Sequence, residues 1–358
     1  MGNNRSILLY PFSLLYGAIT AIRNFLYNTG IIPSTEFRTP VICIGNITVG
    51  GTGKTPHTEY LVRLLGKHFR VATLSRGYKR ETRDFRIASP SSTVREIGDE
   101  PLQICRKFPE ILVAVDRNRV KGVRKILETN PAIQVILLDD AYQHRRIKPG
   151  FSILLTDYER LIIKDNMLPY GNLRESASNM DRANIILVTK SPADLSPIDR
   201  RIIVKEMNKE PGQNLYFTTV SYEEPLPVFP FSEDKRNPVT FNDIKESGIV
   251  LLTGIANPLP LKEHLLKYAG EIVHLSYPDH HNFRDNDIEM VLKAFDELKT
   301  PSKFIFTTEK DAVRLREFTN IAEPLRSAFY YVPIGIDFLN DDREEFDNLI
   351  LDYVRTNK

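Results

Sequence analysis

The sequence predicts an α/β protein in which parallel strands form a sheet and helices cover its faces. Apolar runs of strand length alternate with helical patterns along most of the chain, which supports this fold class. A glycine-rich segment also lies where the first predicted strand passes into a helix. The 358 residues are enough for one large α/β domain and a smaller second one.

An apolar segment at residues 7–27, with aromatic residues near both ends, predicts a helix ahead of the sheet. Pro11, Gly17 and Arg23 interrupt the segment and leave an uncharged stretch near the lower limit for crossing a bilayer. We therefore expect a membrane-associating helix over about residues 6–28 that lies at the membrane surface. A helix buried on its own domain and a true membrane span are the alternatives.

Residues 45–56, with the sequence GNITVGGTGKTP, follow the first predicted strand and open a helix. Backbone N–H groups of such a loop can bind phosphate, Lys54 can reach the β- and γ-phosphates, and the Thr55 hydroxyl can ligate Mg²⁺. Thr48 stands where the usual pattern has its first glycine. The segment predicts a P-loop NTPase-type sheet, and a glycine-rich turn without a ligand is the alternative. The predicted nucleotide-binding residues are Thr48, Val49, Gly50, Gly51, Thr52, Gly53, Lys54 and Thr55.

The remaining elements divide into two groups at a proline-rich polar stretch, residues 223–237. Before it we predict strands at 40–47, 70–75, 111–115, 135–139, 152–156 and 185–189, and helices at 54–65, 100–107 and 118–128. After it we predict strands at 249–253, 271–275 and 303–307, and helices at 259–268, 286–298, 312–318 and 343–354. The predicted domains are therefore 1–222, which carries the P-loop and the N-terminal helix, and 223–358, a smaller α/β domain that contributes to the active-site cleft.

Two aspartates, Asp139 and Asp140, end the apolar strand at 135–139. The carboxyl ends of parallel strands meet at the ligand crevice, so either carboxylate could hold Mg²⁺ opposite Thr55. A turn or capping role is the alternative. Gln143 and His144 follow directly and place an amide and an imidazole just beyond this site.

Asp99 opens a predicted helix in the motif GDEP. It could be a helix cap, or the base that deprotonates an acceptor hydroxyl, and spacing does not decide between these roles. His280 lies in the motif DHH after a predicted strand, where adjacent histidines are usually solvent-facing.

The charge balance, 48 Lys and Arg against 46 Asp and Glu, gives a net charge of +2 and argues against a nucleic-acid partner. Cys43 and Cys105 form no metal-ligand spacing or disulfide framework, which indicates a reducing cytoplasm. The motifs at 189–194 and 308–311 imitate a guanine-recognition loop, but neither places Asp two residues after Lys. We therefore expect ATP rather than GTP.

Eight motifs together resemble the tetraacyldisaccharide 4′-kinases of lipid A biosynthesis, and they cover nearly the whole chain. They are VGGTGKTP, SRGY at 75–78, GDEP at 98–101, DDAYQH at 139–144, GNLRE at 171–175, TGIANP at 253–258, DHH at 279–281 and TTEKD at 307–311. The sequence departs from the family pattern at Lys79, which is usually Gly, and at Ala141 and Tyr142, which replace Gly and Phe.

The resemblance implies ATP-dependent phosphorylation of the 4′-hydroxyl of tetraacyldisaccharide 1-phosphate, giving lipid IVA, at the cytoplasmic face of the bacterial inner membrane. The partners would be the acylated disaccharide phosphate and the membrane surface, with no obligate protein partner. A soluble kinase with a small polar acceptor and a partner-regulated P-loop ATPase are the rival functions.

The resemblance also implies roles for site residues. Asp99 would be the general base and His280 its partner from the second domain. The P-loop pattern itself gives Lys54 the role of offsetting the charge that develops on the β- and γ-phosphate oxygens. Because Asp99 and His280 fall in different predicted domains, we expect domain closure to assemble them. Candidate substrate-binding residues are Arg76, Tyr78 and Arg174; candidate nucleotide contacts beyond the loop are Gln143 and His144; candidate Mg²⁺ ligands are Thr55, Asp139 and Asp140.

Overall fold

The computed structural model describes residues 7–229, 239–318, 321, 323 and 325–357. Residues 230–237 of the predicted linker and residue 6 of the predicted N-terminal helix lie outside these ranges. The helices are α1 (Tyr10–Asn28), α2 (Lys54–Gly66), α3 (Val94–Ile97), α4 (Asp99–Lys107), α5 (Arg119–Thr129), α6 (Pro197–Met207), α7 (Leu259–Leu265), α8 (Asp285–Glu297), α9 (Glu309–Leu315) and α10 (Arg343–Thr356). Short 3-10 turns lie at Ile7–Leu9, Ile162–Lys164, Ala177–Arg182 and Leu325–Ala328.

The strands are, in chain order, β1 (Val41–Gly45), β2 (Val71–Ser75), β3 (Arg86–Ile87), β4 (Leu112–Val115), β5 (Val135–Asp139), β6 (Phe151–Asp157), β7 (Ile185–Thr189), β8 (Asn214–Tyr222), β9 (Leu226–Pro227), β10 (Gly248–Thr253), β11 (Glu271–Ser276), β12 (Lys303–Thr308), β13 (Phe329–Val332) and β14 (Ile334–Phe338). The alternation of strands and helices confirms the predicted α/β class.

The chain forms two compact units. The first contains Met1–Ser91, Ile104–Val220 and Ile336–Lys358, and the second contains Ser92–Gln103 and Ser221–Gly335. The chain passes from the first unit into the second between Val220 and Ser221, within two residues of the predicted domain boundary at 222/223. Two segments differ from the prediction, because residues 92–103 belong to the second unit and α10 returns to the first.

The first unit is built on a sheet whose strand order, within the described residues, is β14-β8-β7-β6-β1-β5-β2-β4-β3. Every pair from β8 through β4 is parallel, and β3 pairs antiparallel with β4 at the edge. Successive residues of a strand point to opposite faces, and here both faces are covered. Ile42 and Ile44 of β1 pack with α2 and α10 on one face, while Val41 and Cys43 belong to the core on the other.

The second unit has a smaller sheet of order β11-β10-β12-β13-β9 in the described part of the chain. Its strands are parallel except for β9, which pairs antiparallel with β13. Val250 and Leu252 of β10 face a core that includes α8, and Ile249 and Leu251 face a second core that includes α7.

Helix α1 has its polar side toward the protein. Its buried residues are Ser13, Thr20 and Asn24, whereas the exposed large side chains are apolar. Ser13 Oγ accepts a hydrogen bond from the backbone N–H of Tyr170, and Asn24 Nδ2 donates to Asn179 Oδ1 at 3.0 Å. Among the described residues, no helix combines the length and hydropathy needed to cross a bilayer.

We expect Phe346→Ala in α10 to destabilise the first unit by about 3–5 kcal/mol, because the substitution leaves a cavity in a closed aromatic cluster. Phe346 is 1% exposed, and its ring centroid lies 4.7 Å from that of Phe338 and 5.8 Å from that of Tyr216. Urea unfolding followed by fluorescence measures the change. Asn348→Ala, at an exposed position of the same helix, is the control; equal midpoints for the two variants would contradict this packing.

Candidate active site

The candidate phosphate site of the first unit lies at the carboxyl edge of its sheet. In the register of the sheet, Ile44 of β1 stands beside Asp139 of β5, and Gly45 stands beside Leu154 of β6. The segments that follow β1 and β5 therefore leave the sheet side by side. This places the glycine-rich loop next to the aspartate pair, as the sequence predicted.

Two glycines give the loop its backbone conformation. Gly50 has φ +102° and Gly53 has φ +79°, a region that side chains with a Cβ rarely adopt. Gly53 directly precedes α2, so the first backbone N–H groups of α2 continue the backbone of the loop. A Cβ on Gly50 would also lie 3.2 Å from Nη2 of Arg160.

Side chains beneath the loop hold it from inside. Asn46 Nδ2 donates to Thr52 Oγ1 at 3.0 Å and to Thr48 Oγ1 at 3.3 Å. Thr189 Oγ1, at the end of β7, donates to the carbonyl of Thr52 at 2.9 Å. Lys190 donates to the carbonyl of Gly51 and lies 2.8 Å from Asp157. Lys190 therefore binds the loop backbone, a role unrelated to the guanine-recognition motif that its sequence imitates.

The segment GNLRE packs along the same loop. Val49 N donates to the carbonyl of Asn172 at 2.9 Å, and Arg174 N donates to the carbonyl of Ile47 at 2.7 Å. The Arg174 guanidinium lies 4.0 Å from Oδ2 of Asp140, beside the candidate phosphate site.

Lys54 and the two aspartates form the charged part of this site. Lys54 Nζ lies 3.7 Å from Oδ1 of Asp140, a buried oxygen for which the described residues supply no hydrogen-bond partner. Asp139 is 2% exposed and accepts a hydrogen bond from Thr58 Oγ1 of α2 at 3.2 Å. Thr55 is half-buried one residue into α2.

These donors fit Mg²⁺, which is commonly held by one or two carboxylates together with phosphate oxygens and water. In the described part of the chain, no group of three or more His, Cys, Asp or Glu side chains could hold a metal ion alone. The predicted ligands Thr55, Asp139 and Asp140 would therefore act together with a bound phosphate.

Gln143 and His144 lie beside the loop. Gln143 Nε2 donates to the carbonyl of Asn46 at 2.5 Å. Burial, aided by the nearby Arg119 and Arg76 guanidiniums, lowers the pKa of His144 to about 4, so its imidazole is neutral at pH 7. Arg119 is itself 2% exposed, and its Nη2 lies 3.4 Å from the carbonyl oxygens of both aspartates. Nothing in its sequence context indicated Arg119.

Arg76 and Tyr78 follow β2 at the same edge of the sheet and are both exposed. Lys79 has φ +58°, in the left-handed region that glycine adopts most easily. This backbone conformation suits the glycine that the resemblance leads us to expect there. Tyr142 is buried and donates to the carbonyl of Asn179 at 2.8 Å, so its hydroxyl is satisfied at the position where the resemblance leads us to expect Phe.

A second cluster of titratable groups lies in the second unit, around Asp99. His280 follows β11, and Lys310 follows β12, both at the carboxyl edge of the smaller sheet. Asp99 is 3% exposed, and its Oδ2 lies 2.9 Å from His280 Nδ1. Arg314, also buried, donates to the same oxygen. His280 has φ +57°, and its backbone N–H donates to the carbonyl of Gly254 at 3.0 Å.

The cationic surroundings decide the charge of Asp99. Burial alone would raise the pKa of this carboxyl, but the hydrogen bond from His280 and the charges of Lys310 and Arg314 hold it well below its usual range. Asp99 is therefore a carboxylate throughout the neutral pH range.

Asp99 and His280 are in contact within one unit, so the premise of the expected domain closure, that they lie in different domains, was wrong. Residues 92–103 belong to the same unit as His280. Sequence separation suggested different domains because this short segment leaves the first unit and returns to it at Ile104. Arg314 was not among the predicted site residues, and the motif TTEKD ends three positions before it.

The P-loop sheet and its carboxylate pair place the chain in the class of P-loop proteins. The family described as "Tetraacyldisaccharide-1-P 4'-kinase" matches residues 5–355. A tetraacyldisaccharide 4'-kinase of Bacteroides thetaiotaomicron is 48% identical over 354 residues, which are 98% of this chain and 93% of that protein. One of Flavobacterium johnsoniae is 46% identical over 350 residues, with 98% and 97% covered.

The chain therefore belongs to the tetraacyldisaccharide 4′-kinase family. The crystal structure of LpxK from Aquifex aeolicus in complex with ATP matches with a TM-score of 0.74 and 27% identity, over 97% of this chain and 98% of that one. These findings confirm the resemblance based on the eight motifs, the predicted fold class and the prediction of a kinase of lipid A biosynthesis.

We expect Gly53→Ala to destabilise the phosphate loop by about 1–2 kcal/mol, because an alanine pays the steric cost of the left-handed conformation. Hydrogen exchange of the amides at residues 48–56 measures the loss as faster local opening. Gly51→Ala is the matched control, since Gly51 does not have positive φ and a Cβ there would meet no atom within 4 Å. Equal exchange rates in the two variants would contradict the proposed backbone requirement.

Proposed function

We propose that this chain transfers the γ-phosphoryl group of ATP to the 4′-hydroxyl of a membrane-bound tetraacyldisaccharide 1-phosphate, giving lipid IVA. The observation that carries the proposal is the meeting of the glycine-rich loop, Lys54 and the Asp139–Asp140 pair at one sheet edge in a chain of this family. Phosphoryl transfer needs little besides positioning and charge stabilisation, and these groups supply both.

ATP is the proposed nucleotide, since the relative from Aquifex aeolicus is described in complex with ATP. The amides of residues 48–55 would bind its phosphates, Lys54 would offset the charge that develops on them, and Gln143 and His144 would line the same edge. Mg²⁺, held by Thr55 and the aspartates, would neutralise phosphate charge. Arg174, close to Asp140, would bind a phosphate of the nucleotide or the lipid. Arg76 and Tyr78, which follow β2, would bind a phosphate of one of these two molecules as well.

Asp99 is the proposed acceptor of the proton from the sugar hydroxyl, with His280 as its orienting partner. The 2.9 Å contact between the two side chains and the burial of Asp99 support these roles. A carboxylate of low pKa can serve here, because the hydroxyl proton need leave only as the bond to phosphorus forms.

Helix α1 is the proposed membrane contact, on the cytoplasmic face of the inner membrane. Phe12, Leu15, Ile19 and Ile22 recur at helical spacing and are each 58–62% exposed. With the polar side against the protein, this apolar side would enter the boundary between headgroups and acyl chains, where an acylated substrate lies.

The direct test incubates purified protein with γ-labelled ATP, Mg²⁺ and tetraacyldisaccharide 1-phosphate in detergent. Label should appear in a bis-phosphorylated lipid. Hydrolysis of ATP without labelled lipid, while an authentic family member labels the same substrate, would reject the proposal.

We expect Asp99→Asn to lower kcat by about 10²–10⁴-fold, the usual contribution of a general base, and His280→Ala to lower it by a smaller factor. The Km for ATP should change by less than about threefold, because neither group is proposed to bind the nucleotide. Steady-state kinetics in mixed micelles give both constants. Turnover close to that of the unsubstituted protein in either variant would remove that residue from the proposed mechanism.

We expect replacement of Phe12, Leu15, Ile19 and Ile22 by Ser to weaken binding to anionic lipid vesicles at least about 100-fold, since each exposed apolar side chain contributes on the order of 1 kcal/mol when buried. Vesicle co-sedimentation measures binding, and activity on detergent-dispersed substrate should be retained. Ile198→Ser with Ile202→Ser, on exposed positions of α6, is the control. Equal sedimentation of the two variants would contradict the role of α1.

A further inference from the structure

The two oxygens of the Asp99 carboxylate have different surroundings. Oδ2 is contacted by His280 Nδ1 at 2.9 Å and by Arg314 Nη2, and Lys310 Nζ lies 4.0 Å away. Oδ1 accepts a hydrogen bond from the backbone N–H of Glu100, at 3.0 Å. The side-chain cations and the imidazole therefore converge on one oxygen, whereas the other is held by the start of its own helix.

Arg314 is fixed from its other side by a buried aspartate. Arg314 Nη1 lies 3.0 Å from Oδ1 of Asp311, which is fully buried. Oδ2 of Asp311 accepts hydrogen bonds from Gly254 N at 2.9 Å and Thr308 Oγ1 at 2.7 Å. A continuous set of contacts thus joins the ends of β10 and β12 to Asp99, with the Arg314 guanidinium as its central member.

We propose that Arg314 is a positioning residue for the phosphoryl-transfer base: it fixes Asp99 through Oδ2 and leaves Oδ1 as the oxygen that takes the proton of the acceptor hydroxyl. The inference deepens the proposed function and rests on it. Its geometric basis is a planar guanidinium that bridges two carboxylates at once, which a lysine ammonium does not reproduce.

Lys310 complements this arrangement at His280. Lys310 Nζ lies 3.1 Å from His280 Nε2, and Arg314 Nη2 lies 3.2 Å from His280 Nδ1. An ammonium can only donate, so the Lys310 contact favours the tautomer in which Nδ1 carries the proton and donates to Asp99. Lys310 also lies 3.6 Å from both Glu100 and Asp279. These residues, together with Arg314, are the charged groups that face the pair.

Because Arg314 is charged, its removal should change the pKa of Asp99, an effect that loss of a purely structural residue would not produce. Burial opposes ionisation of Asp99, and Lys310 and Arg314 are among the groups that lower its pKa. Removing the guanidinium should raise the pKa of Asp99, so the acid limb of the pH profile of kcat/KM should move to higher pH.

The experiment compares Arg314→Met, Arg314→Lys and Arg316→Met. Arg316 is the matched control: it directly follows α9 and contacts the carbonyl of Val228 and the ring of Tyr331.

Arg314→Met should lower kcat about 100-fold, change the Km for ATP by less than about threefold, and move the acid limb up by about one pH unit or more. Arg314→Lys keeps the charge and should leave the acid limb near its original position with kcat lowered about tenfold. Arg316→Met should change neither kcat nor the acid limb.

A kcat for Arg314→Met within about threefold of the unsubstituted protein, or a lower kcat with an unmoved acid limb, would overturn the inference. If Arg314→Met does not fold, Arg314→Lys and Asp311→Asn decide: both should lower kcat, and full activity in both would refute a positioning role.

A titration independent of turnover separates this inference from the proposed function. Carboxyl ¹³C NMR, with the Asp99 signal assigned by its loss in Asp99→Asn, should show a higher pKa in Arg314→Met than in the unsubstituted protein. An unchanged Asp99 titration overturns the inference even when the unsubstituted protein phosphorylates the lipid. A failure of that protein to label lipid, with the expected shift present, would reject the proposed function and leave the Arg314 contact intact.

Discussion

The parallel register of β1 with β5 is the constraint on which the candidate phosphate site depends. Ile44 pairs with Asp139, so the glycine-rich loop and the aspartates leave adjacent strands at the same level. Strands in a sheet lie about 4.8 Å apart, which sets the scale of the Lys54 to Asp140 contact. If the pairing of β1 slipped by one residue, its side chains would exchange faces, and Ile42 and Cys43 would each point into the opposite core. Burial of side chains on both faces therefore fixes the register of β1.

In the second unit, parallel strand pairing likewise brings together the groups that follow the carboxyl ends of neighbouring strands. Its strands β11, β10 and β12 are neighbours, and His280, Gly254 and Lys310 follow their carboxyl ends. Two buried carboxylates, Asp99 and Asp311, lie at this edge, and a buried carboxylate is stable only with donors and opposite charge around it. The surrounding cations therefore serve both the fold of this unit and the ionisation of the proposed base.

Much of both sheets could be predicted because continuous apolar runs leave few alternatives. The strands at 135–139 and 185–189 have the predicted bounds. The position of α10 could not be predicted, since Phe346 and Ile350 give an amphipathic pattern that any apolar surface would satisfy. The residues at 92–103 posed the same difficulty: a short segment with few apolar residues does not indicate which unit it joins. Arg314 was missed because an arginine three residues beyond a motif has no distinguishing pattern until the fold places it against Asp99.

The polar side of α1 links the helix to the phosphate edge of the first unit. Arg23 donates to the carbonyl of Gln143, and the Tyr16 hydroxyl donates to the carbonyl of Arg174 at 3.2 Å. Both acceptors belong to segments that flank the glycine-rich loop. Hydrogen bonds of this kind are directional, so they fix the rotation of α1 about its axis, and its apolar residues then face away from the protein. A helix held by apolar contacts would have buried those same residues, and no apolar side would remain for the proposed membrane contact.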